Sequence, residues 1–407
     1  MSNPIQDLSN EQLTSMASRF GTPLYVYNAQ RIETQYRQLQ EAFRKTPTRI
    51  FFASKAQTNI NILKFLQQLG SSVDCVSLNE VKLAFRAGFT PDRILFTPNC
   101  TDIDEYIAAK ALGVIINIDS LPMLEKFGAL NGSSYPVNLR LNPHIMAGGN
   151  LKISTGHVNS KFGISIQQIE EIIAIVAQYQ VPVEGIHLHT GSEIKEVSVF
   201  MQGLELMLDI AHRFPALKAI DLGGGFKVPY KPGDYETDIV ALGEAVAGAF
   251  DRYKTETGKA LEVWFEPGKY LVSQCGYLLV KANLVKKTPA TTFVGVNSGF
   301  NHLIRPMFYE AYHHIVNSSN PNGAEQTYTV VGNICETDTF AWDRPLPEVR
   351  EGDILTFLNA GAYCFEMSSN FNSRLKPAEV LVINGEAKLI RRRETFEDLV
   401  ERQVEVL

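Results

Sequence analysis

The chain has 407 residues, 45% hydrophobic and 20% charged, a composition that builds a large core and excludes a disordered chain. Its 44 acidic and 38 basic residues leave a net charge of −6, which argues against nucleic acid or an anionic membrane as partner, because each demands a basic face. No apolar stretch approaches the ~20 residues of a bilayer span, so no membrane partner is expected.

The polar opening Met1–Arg19 lacks an apolar core, so no secretory leader is expected. Cys75, Cys100, Cys275, Cys335 and Cys364 are odd in number and scattered. They predict free thiols, no zinc knuckle and a cytoplasmic location. The basic run Arg391-Arg392-Arg393 is followed at once by Glu394 and reads as a solvated strand edge.

In chain order, Leu24–Tyr27 is a candidate strand on composition alone. Eight short apolar runs follow: Ile50–Ser54, Val73–Ser77, Ile94–Thr97, Val114–Ile118, Val137–Leu141, Val183–His189, Ala219–Leu222 and Leu261–Glu266. Strands covered on both faces read this way. Helix signals fill the intervals. Asn59 precedes Ile60, Leu63, Leu66 and Leu69, and Gly70 is a C-terminal stop. Ser165 stands three before Gln168, the spacing of a capping box, and Ile166, Ile169, Ile173 and Val176 then form one stripe. Val199–Phe214 and Ile239–Tyr253 also read as helices. Eight repeats of strand and helix predict an α/β fold with a (β/α)8 TIM-type barrel over residues 28–270. An open doubly wound sheet is the alternative, since closure leaves no local mark. After residue 270 the pattern becomes β: Leu271–Lys286, Thr292–Val296, Thr327–Val331, Ile354–Leu358 and Glu379–Ile383. Asn384-Gly385 reads as a type I′ hairpin turn. Helix is confined to Pro306–His314 and Glu397–Val404. Residues 271–407 are therefore a second, mostly β domain, joined by residues 1–27.

Reactive groups of such barrels sit at the C-terminal ends of the strands. Lys55 follows the first run. His187, His189, Gly191 and Ser192 lie at and after the sixth, Gly223-Gly224-Gly225 after the seventh, and Glu266, Pro267 and Gly268 at the eighth. Each alone is weak: a lysine is usually a surface residue, and three glycines are usually a turn. Together they describe one site. A lysine can bond an aldehyde, bare backbone N–H groups can approach a phosphate, an acid can keep a pyridine nitrogen protonated, and a histidine can stack on a flat ring. That set suggests pyridoxal 5′-phosphate. His187-x-His189 also raises a metal site, but no further His or Asp cluster is visible at the other strand ends, so none is expected.

The ordered motifs Phe-Gly-Thr-Pro-Leu-Tyr-Val-Tyr (20–27), Ala-Ser-Lys-Ala (53–56), His-Leu-His-Thr-Gly-Ser (187–192), Leu-Gly-Gly-Gly (222–225), Glu-Pro-Gly (266–268), Leu-Ile-Arg-Pro-x-x-Tyr (303–309), Cys-Glu-Thr-Asp (335–338) and Gly-Ala-Tyr (361–363) carry a resemblance over nearly the whole chain. The chain resembles the fold-type III pyridoxal-phosphate decarboxylases. Leu-Ile-Arg-Pro with Cys-Glu points to their diaminopimelate branch. The resemblance implies conversion of meso-2,6-diaminopimelate to L-lysine and CO2, the last step of lysine biosynthesis. It implies that Lys55 holds the cofactor covalently and that His189 stacks on its ring. Ser192, Gly224, Gly225 and the loop Glu266, Pro267, Gly268 and Lys269 would bind it, Glu266 facing the pyridine nitrogen, with Tyr363 on the phosphate. Cys335 would be the acid, contributed by the partner subunit of a homodimer with shared sites. Arg305, Tyr309 and Glu336, with Lys269 and Tyr363, would contact the amino-acid substrate. A carboxylate at the far end suits an arginine fork and an ammonium suits a carboxylate, which Arg305 and Glu336 supply. Two positions depart from the pattern: Lys269 stands where arginine is usual, and Asn297-Ser298-Gly299 where Asp-Ala-Gly is expected. The alternatives are a sister decarboxylase of ornithine, arginine or a carrier-bound amino acid, an alanine-racemase-like enzyme, which would need a tyrosine base in place of Cys-Glu, and a non-catalytic cofactor carrier, which resembles a barrel alone.

Overall fold

The computed structural model describes residues 6–145 and 160–407. Two compact units emerge: Met1–Ile32, Pro229–Asp234 and Val272–Leu407 in one, and Glu33–Val228 with Tyr235–Leu271 in the other. Helix α1 (Asn10–Phe20), strand β1 (Leu24–Asn28) and helix α2 (Ala29–Ala42) open the chain. Strands β2 (Thr48–Ala53), β3 (Ser72–Cys75), β4 (Ile94–Phe96), β5 (Ile115–Ile118) and β6 (Val137–Asn142) then alternate with α3 (Ile60–Leu69), α4 (Leu78–Ala87), α5 (Ile103–Ala111) and α6 (Leu121–Asn131). The two-residue β7 (Ile164–Ser165), α7 (Ile169–Tyr179), β8 (Val183–His187), α8 (Val197–Ala211), β9 (Ala219–Asp221), α9 (Ile239–Thr257) and β10 (Glu262–Phe265) complete the second of these units.

Its strands run parallel in the order β5-β4-β3-β2-β10-β9-β8-β6, and β5 also pairs with β6. That pairing closes an eight-stranded barrel, with β7 appended to β6. The open-sheet alternative is excluded. All eight apolar runs are barrel strands, and β3, β4 and β6 are buried along their whole length. Phe51, Leu95, Ala219 and Trp264 cluster in the core. The helices start and stop where the chain chemistry directs. Asn59 accepts the Asn61 N–H to open α3, and Gly70 closes it at φ +100°, a conformation that glycine adopts without a Cβ penalty. The Ser165–Gln168 capping box does not form. Ser165 instead accepts from Gln167 and opens a 3-10 turn, so α7 begins only at Ile169.

The other unit is a nine-stranded sheet. After the helical turn α10 (Lys269–Val272) come β11 (Gly276–Lys287), β12 (Thr292–Val296), α11 (Arg305–Tyr309), β13 (Ile315–Asn317), β14 (Glu325–Val331), β15 (Thr339–Pro347), β16 (Ile354–Phe357), β17 (Ala378–Ile383), β18 (Glu386–Arg391) and α12 (Phe396–Val400). The order is β15-β14-β12-β11-β1-β17-β18, with β16 on β11 and β13 on β16. The run from Leu271 is therefore a strand only from Gly276 onward. Strand β1 lies inside this sheet, antiparallel to β11 and parallel to β17, and its Leu24 and Val26 pack with Leu13, Leu279 and Val380. Asn384 and Gly385 take φ +52° and +78° between the paired Ile383 and Glu386, as a type I′ turn requires. The basic run is more than a solvated edge: Arg391 pairs with the buried Glu379, and Arg393 donates to Pro23 O at 2.6 Å.

Candidate active site

Parallel strands with short turns bring sequence-distant residues to one barrel mouth. Lys55 follows β2 in the turn Ser54–Ala56 and is its exposed residue, with Ser54 and Ala56 buried. Ser54 Oγ ties the turn to β3 by donating to Asp74 O at 2.8 Å. His187 ends β8 and His189 follows two residues later. Asp221 ends β9 in register with His187. Its Oδ1 accepts the Gly223 N–H at 2.8 Å, so the carboxyl shapes the glycine turn. The Gly224 N–H points to His189 Nδ1 at 3.3 Å. That contact makes Nδ1 the acceptor and leaves the ring proton on Nε2. Glu266, directly after β10, is held by its N–H to Gly223 O at 2.8 Å.

The glycine turn has the shape of a cradle. Gly223 and Gly225 take φ +65° and +106°. A Cβ on Gly224 would stand 2.4 Å from Glu266 O, and one on Gly225 2.5 Å from Gly191 O. No side chain fits there, and the backbone stays bare. Gly191 and the half-buried Ser192 adjoin it. Pro267 and Gly268 are buried, and Lys269 opens α10 with its ammonium 2.8 Å from Glu193 Oε1.

Three carboxyls share this pocket, and they differ in charge. Burial pushes Asp74 well up, and the nearby Glu266 charge adds to it against Lys55. Asp221 is raised in the same way, by burial and then by Glu266. Burial also pushes Glu266 upward, but the facing His187 and Lys55 prevail and hold it below the usual carboxylate range. Glu266 is therefore the ionised acid of the three. Enclosure and the Lys55 ammonium push His189 well down, so it is neutral. Burial likewise lowers His187, whose Nε2 stands 3.3 Å from Glu266 Oε2. Glu266 Oε1 and both His187 ring nitrogens are buried without a hydrogen-bond partner among the described residues.

Sequence reasoning missed part of this pocket. Asp74, Asp221 and the buried Arg140 on β6 belong to it, Arg140 facing the Glu266, Asp74 and Asp221 carboxyls. The expectation of no further His or Asp cluster at the strand ends is corrected, because His187, Asp221 and Glu266 offer atoms all within 4.8 Å of one another. The available signal was a charged residue inside an apolar strand run, which is rarely left without a use.

The remaining predicted residues lie in the β unit. Arg305 opens α11 and is buried, its guanidinium 5.7 Å from the Tyr230 ring and 5.8 Å from that of Tyr309. Tyr309 and Tyr363 are half-buried, and Tyr363 takes φ +57°. Cys335 and Glu336 are exposed. Asn372 grips Cys335 twice: its Oδ1 accepts the Cys335 N–H at 2.8 Å, and its Nδ2 donates to Sγ at 3.0 Å.

Residues 29–273 match the family model described as pyridoxal-dependent decarboxylase, pyridoxal binding domain. A diaminopimelate decarboxylase from Methanothermobacter thermautotrophicus is 40% identical, across 95% of this chain and 93% of its own length. The chain belongs to the diaminopimelate decarboxylase family. Two solved structures of that family agree. A crystal structure of diaminopimelate decarboxylase superposes with TM-score 0.90 at 33% identity, covering 98% of this chain and 99% of that one. The Helicobacter pylori enzyme complexed with L-lysine gives 0.88 at 30%, covering 95% and 98%. This member of the family is a carboxy-lyase whose cofactor is pyridoxal 5′-phosphate. The pocket fits that cofactor: the glycine turn leaves room where a Cβ would clash, and an ionised carboxylate keeps one buried oxygen unpartnered.

Proposed function

We propose that the chain converts meso-2,6-diaminopimelate to L-lysine and CO2, the last step of lysine biosynthesis, as a homodimer with shared active sites. The observation that carries this reading is 40% identity, spread over 95% of the chain, to a diaminopimelate decarboxylase. Pyridoxal phosphate, when bound, supplies an electron-withdrawing pyridinium ring that accepts the electron pair left by departing CO2. Lys55 would hold the cofactor through its amine, and neutral His189 would cover one ring face. Glu266 would keep a proton on the pyridine nitrogen. Ser192, Gly224, Gly225, Pro267 and Gly268 would surround the phosphate, with Tyr363 beside it. Lys269 would serve this loop and the substrate carboxylate through its position on α10.

Cys335 of one subunit would deliver a proton to the substrate Cα in the other, and Asn372 would aim the thiol. Arg305 and Tyr309 would bind the distal carboxylate of the substrate, and Glu336 its distal ammonium. A buried guanidinium supports the first role, since desolvation strengthens its pull on a carboxylate. The exposure of Cys335 and Glu336 supports a partner that covers them. The described residues include no helix long and apolar enough to cross a membrane, and all five cysteines are free. Both facts support a place in the reducing cytoplasm.

The test incubates purified protein and cofactor with meso-diaminopimelate, ornithine, arginine and lysine and measures CO2. Release from diaminopimelate alone is expected. Release from ornithine with none from diaminopimelate would transfer the chain to a sister activity, and cofactor binding without CO2 from any substrate would make it a carrier.

A further inference from the structure

His187 and Asp221 are absent from the roles above, yet they are buried in the same pocket. His187 ends β8, Asp221 ends β9 and Glu266 follows β10, three neighbouring strands. His187 Nε2 meets Glu266 Oε2 at 3.3 Å, and Asp221 Oδ1 takes the Gly223 N–H at 2.8 Å. Asp221 Oδ2, Glu266 Oε1 and both His187 ring nitrogens are buried and without hydrogen-bond partners among the described residues. We propose that His187 and Asp221 are positioning residues that keep the negative charge on Glu266, aim its bare oxygen at the pyridine nitrogen, and tie it to the turn that cradles the phosphate. The proposal deepens the cofactor-binding reading and rests on it.

Charge decides between this relay and a metal site. Lys55 and Arg140 already face these carboxyls, and two cations beside the trio oppose entry of a divalent ion. Within the pocket the charge could settle on Asp74, Asp221 or Glu266, and only the last suits the ring nitrogen. Burial of an ion is costly unless donors surround it. His187 Nε2 stands 3.3 Å from Glu266 Oε2, and neither ring nitrogen has a hydrogen-bond partner among the described residues, so a proton on Nε2 turned toward Glu266 would supply its donor. A neutral Asp221 supplies a carboxyl that repels nothing and can donate its own proton. His189 and Asp74, as well as Lys55 and Arg140, face Glu266. Removing the His187 donor would let the charge move toward Asp221, away from the ring.

The experiment loads the apo-protein with 15N-labelled pyridoxal phosphate, without substrate, and reads cofactor affinity and the pyridine 15N shift at pH 7.5. The wild-type chain should show a protonated ring. His187→Phe should weaken cofactor binding roughly 10-fold or more, the scale of one lost hydrogen bond to a charged group, and should lose the ring proton. His187→Gln keeps an N–H donor and should restore both readouts. His187→Asn, too short to reach, should behave like His187→Phe and serves where the larger residue prevents folding. Asp221→Asn mimics a neutral carboxyl and should keep the ring protonated, whereas Glu266→Gln should not. A ring signal and affinity in His187→Phe or His187→Asn equal to wild type would overturn the proposal, as would an Asp221→Asn chain that loses the ring proton as Glu266→Gln does. A wild-type chain that takes up no cofactor overturns this reading and the cofactor reading together. One that binds cofactor but leaves diaminopimelate intact sinks only the substrate assignment.

Discussion

Asn372 and Cys335 are 37 residues apart in sequence, and their two hydrogen bonds give the thiol a fixed direction. A proton donor must reach its target with the right geometry as well as the right chemistry. Cys335→Ala should therefore slow CO2 release by roughly 10²-fold while cofactor content stays at the wild-type level. Asn372→Ala should lose less, about 10-fold, because the thiol remains but wanders. An alanine at 335 that turns over at the wild-type rate would return Cys335 to the role of an ordinary thiol. At this scale legibility follows locality. Lys55, His189, Ser192, the glycines and Glu266 of the candidate site drew notice because they stand at or just after the ends of apolar runs. Asp74, Arg140 and Asp221 were hidden by the runs themselves, whose apolar neighbours disguised one inward-facing charge. Asn372 had no signal, since its partner comes from a distant loop.

Helix packing sets a sharper test at the scale of elements. Gly243 sits in α9 where a Cβ would stand 1.9 Å from Ala42 O, the last residue of α2. Two effects of opposite sign meet there. Alanine raises helix propensity by about 1 kcal/mol over glycine, but forcing a methyl into a rigid backbone costs about 1–3 kcal/mol or more. The clash involves a carbonyl rather than a flexible side chain, so it wins. Gly243→Ala should lower the urea midpoint by the equivalent of about 1–2 kcal/mol net. Gly248 lies in the same helix and is exposed, its nearest neighbour a flexible Arg252 Nη1 at 3.9 Å. Gly248→Ala should raise the midpoint by up to about 1 kcal/mol. Equal shifts in both would remove helix contact as the cause. The elements differ in how far they could be read. The eight barrel strands were legible because burial on both faces leaves continuous apolar runs. Closure was not, because the β5–β6 pairing joins strands whose contact has no local sequence mark. Helix α2 escaped notice since its apolar stripe is thin: Ile32, Tyr36 and Leu39 among polar residues. Helix α1 did carry a signal, the Ser9–Gln12 capping box that forms in the structure. The Ser165–Gln168 spacing, which looks the same, does not form one. A Ser-x-x-Gln spacing therefore proposes a helix start but does not guarantee it: both serines are extended, and after Ser165 the chain makes a 3-10 turn before α7 begins.

The whole molecule must solve a problem of cover. Cys335, Glu336 and Asn372 are exposed in the β unit, and Phe308, Trp342 and Phe371 expose apolar area there too. An acid that protonates a carbanion works best away from water, and exposed aromatic side chains favour a protein surface as cover. The proposed homodimer answers both needs if each subunit lends its Cys335 to the lysine of the other. That arrangement makes a specific demand on mixed dimers. Lys55→Ala removes the proposed cofactor anchor of one chain, and Cys335→Ala removes the proposed acid of the other. Coexpression with two affinity tags isolates a dimer carrying one chain of each kind. In it, the intact Lys55 and the intact Cys335 come from different chains. With a two-fold interface, sharing across the subunits restores one of two sites, so the purified mixed dimer should regain about half the wild-type activity. If each Cys335 served the lysine of its own chain, no site in the mixed dimer would hold both groups. Its activity would then be no more than about half that of the Cys335→Ala parent, which carries two such sites. Cofactor content of about one per mixed dimer, expected because one lysine remains, checks that the dimer assembled as designed and separates a wrong partnership from a failed preparation.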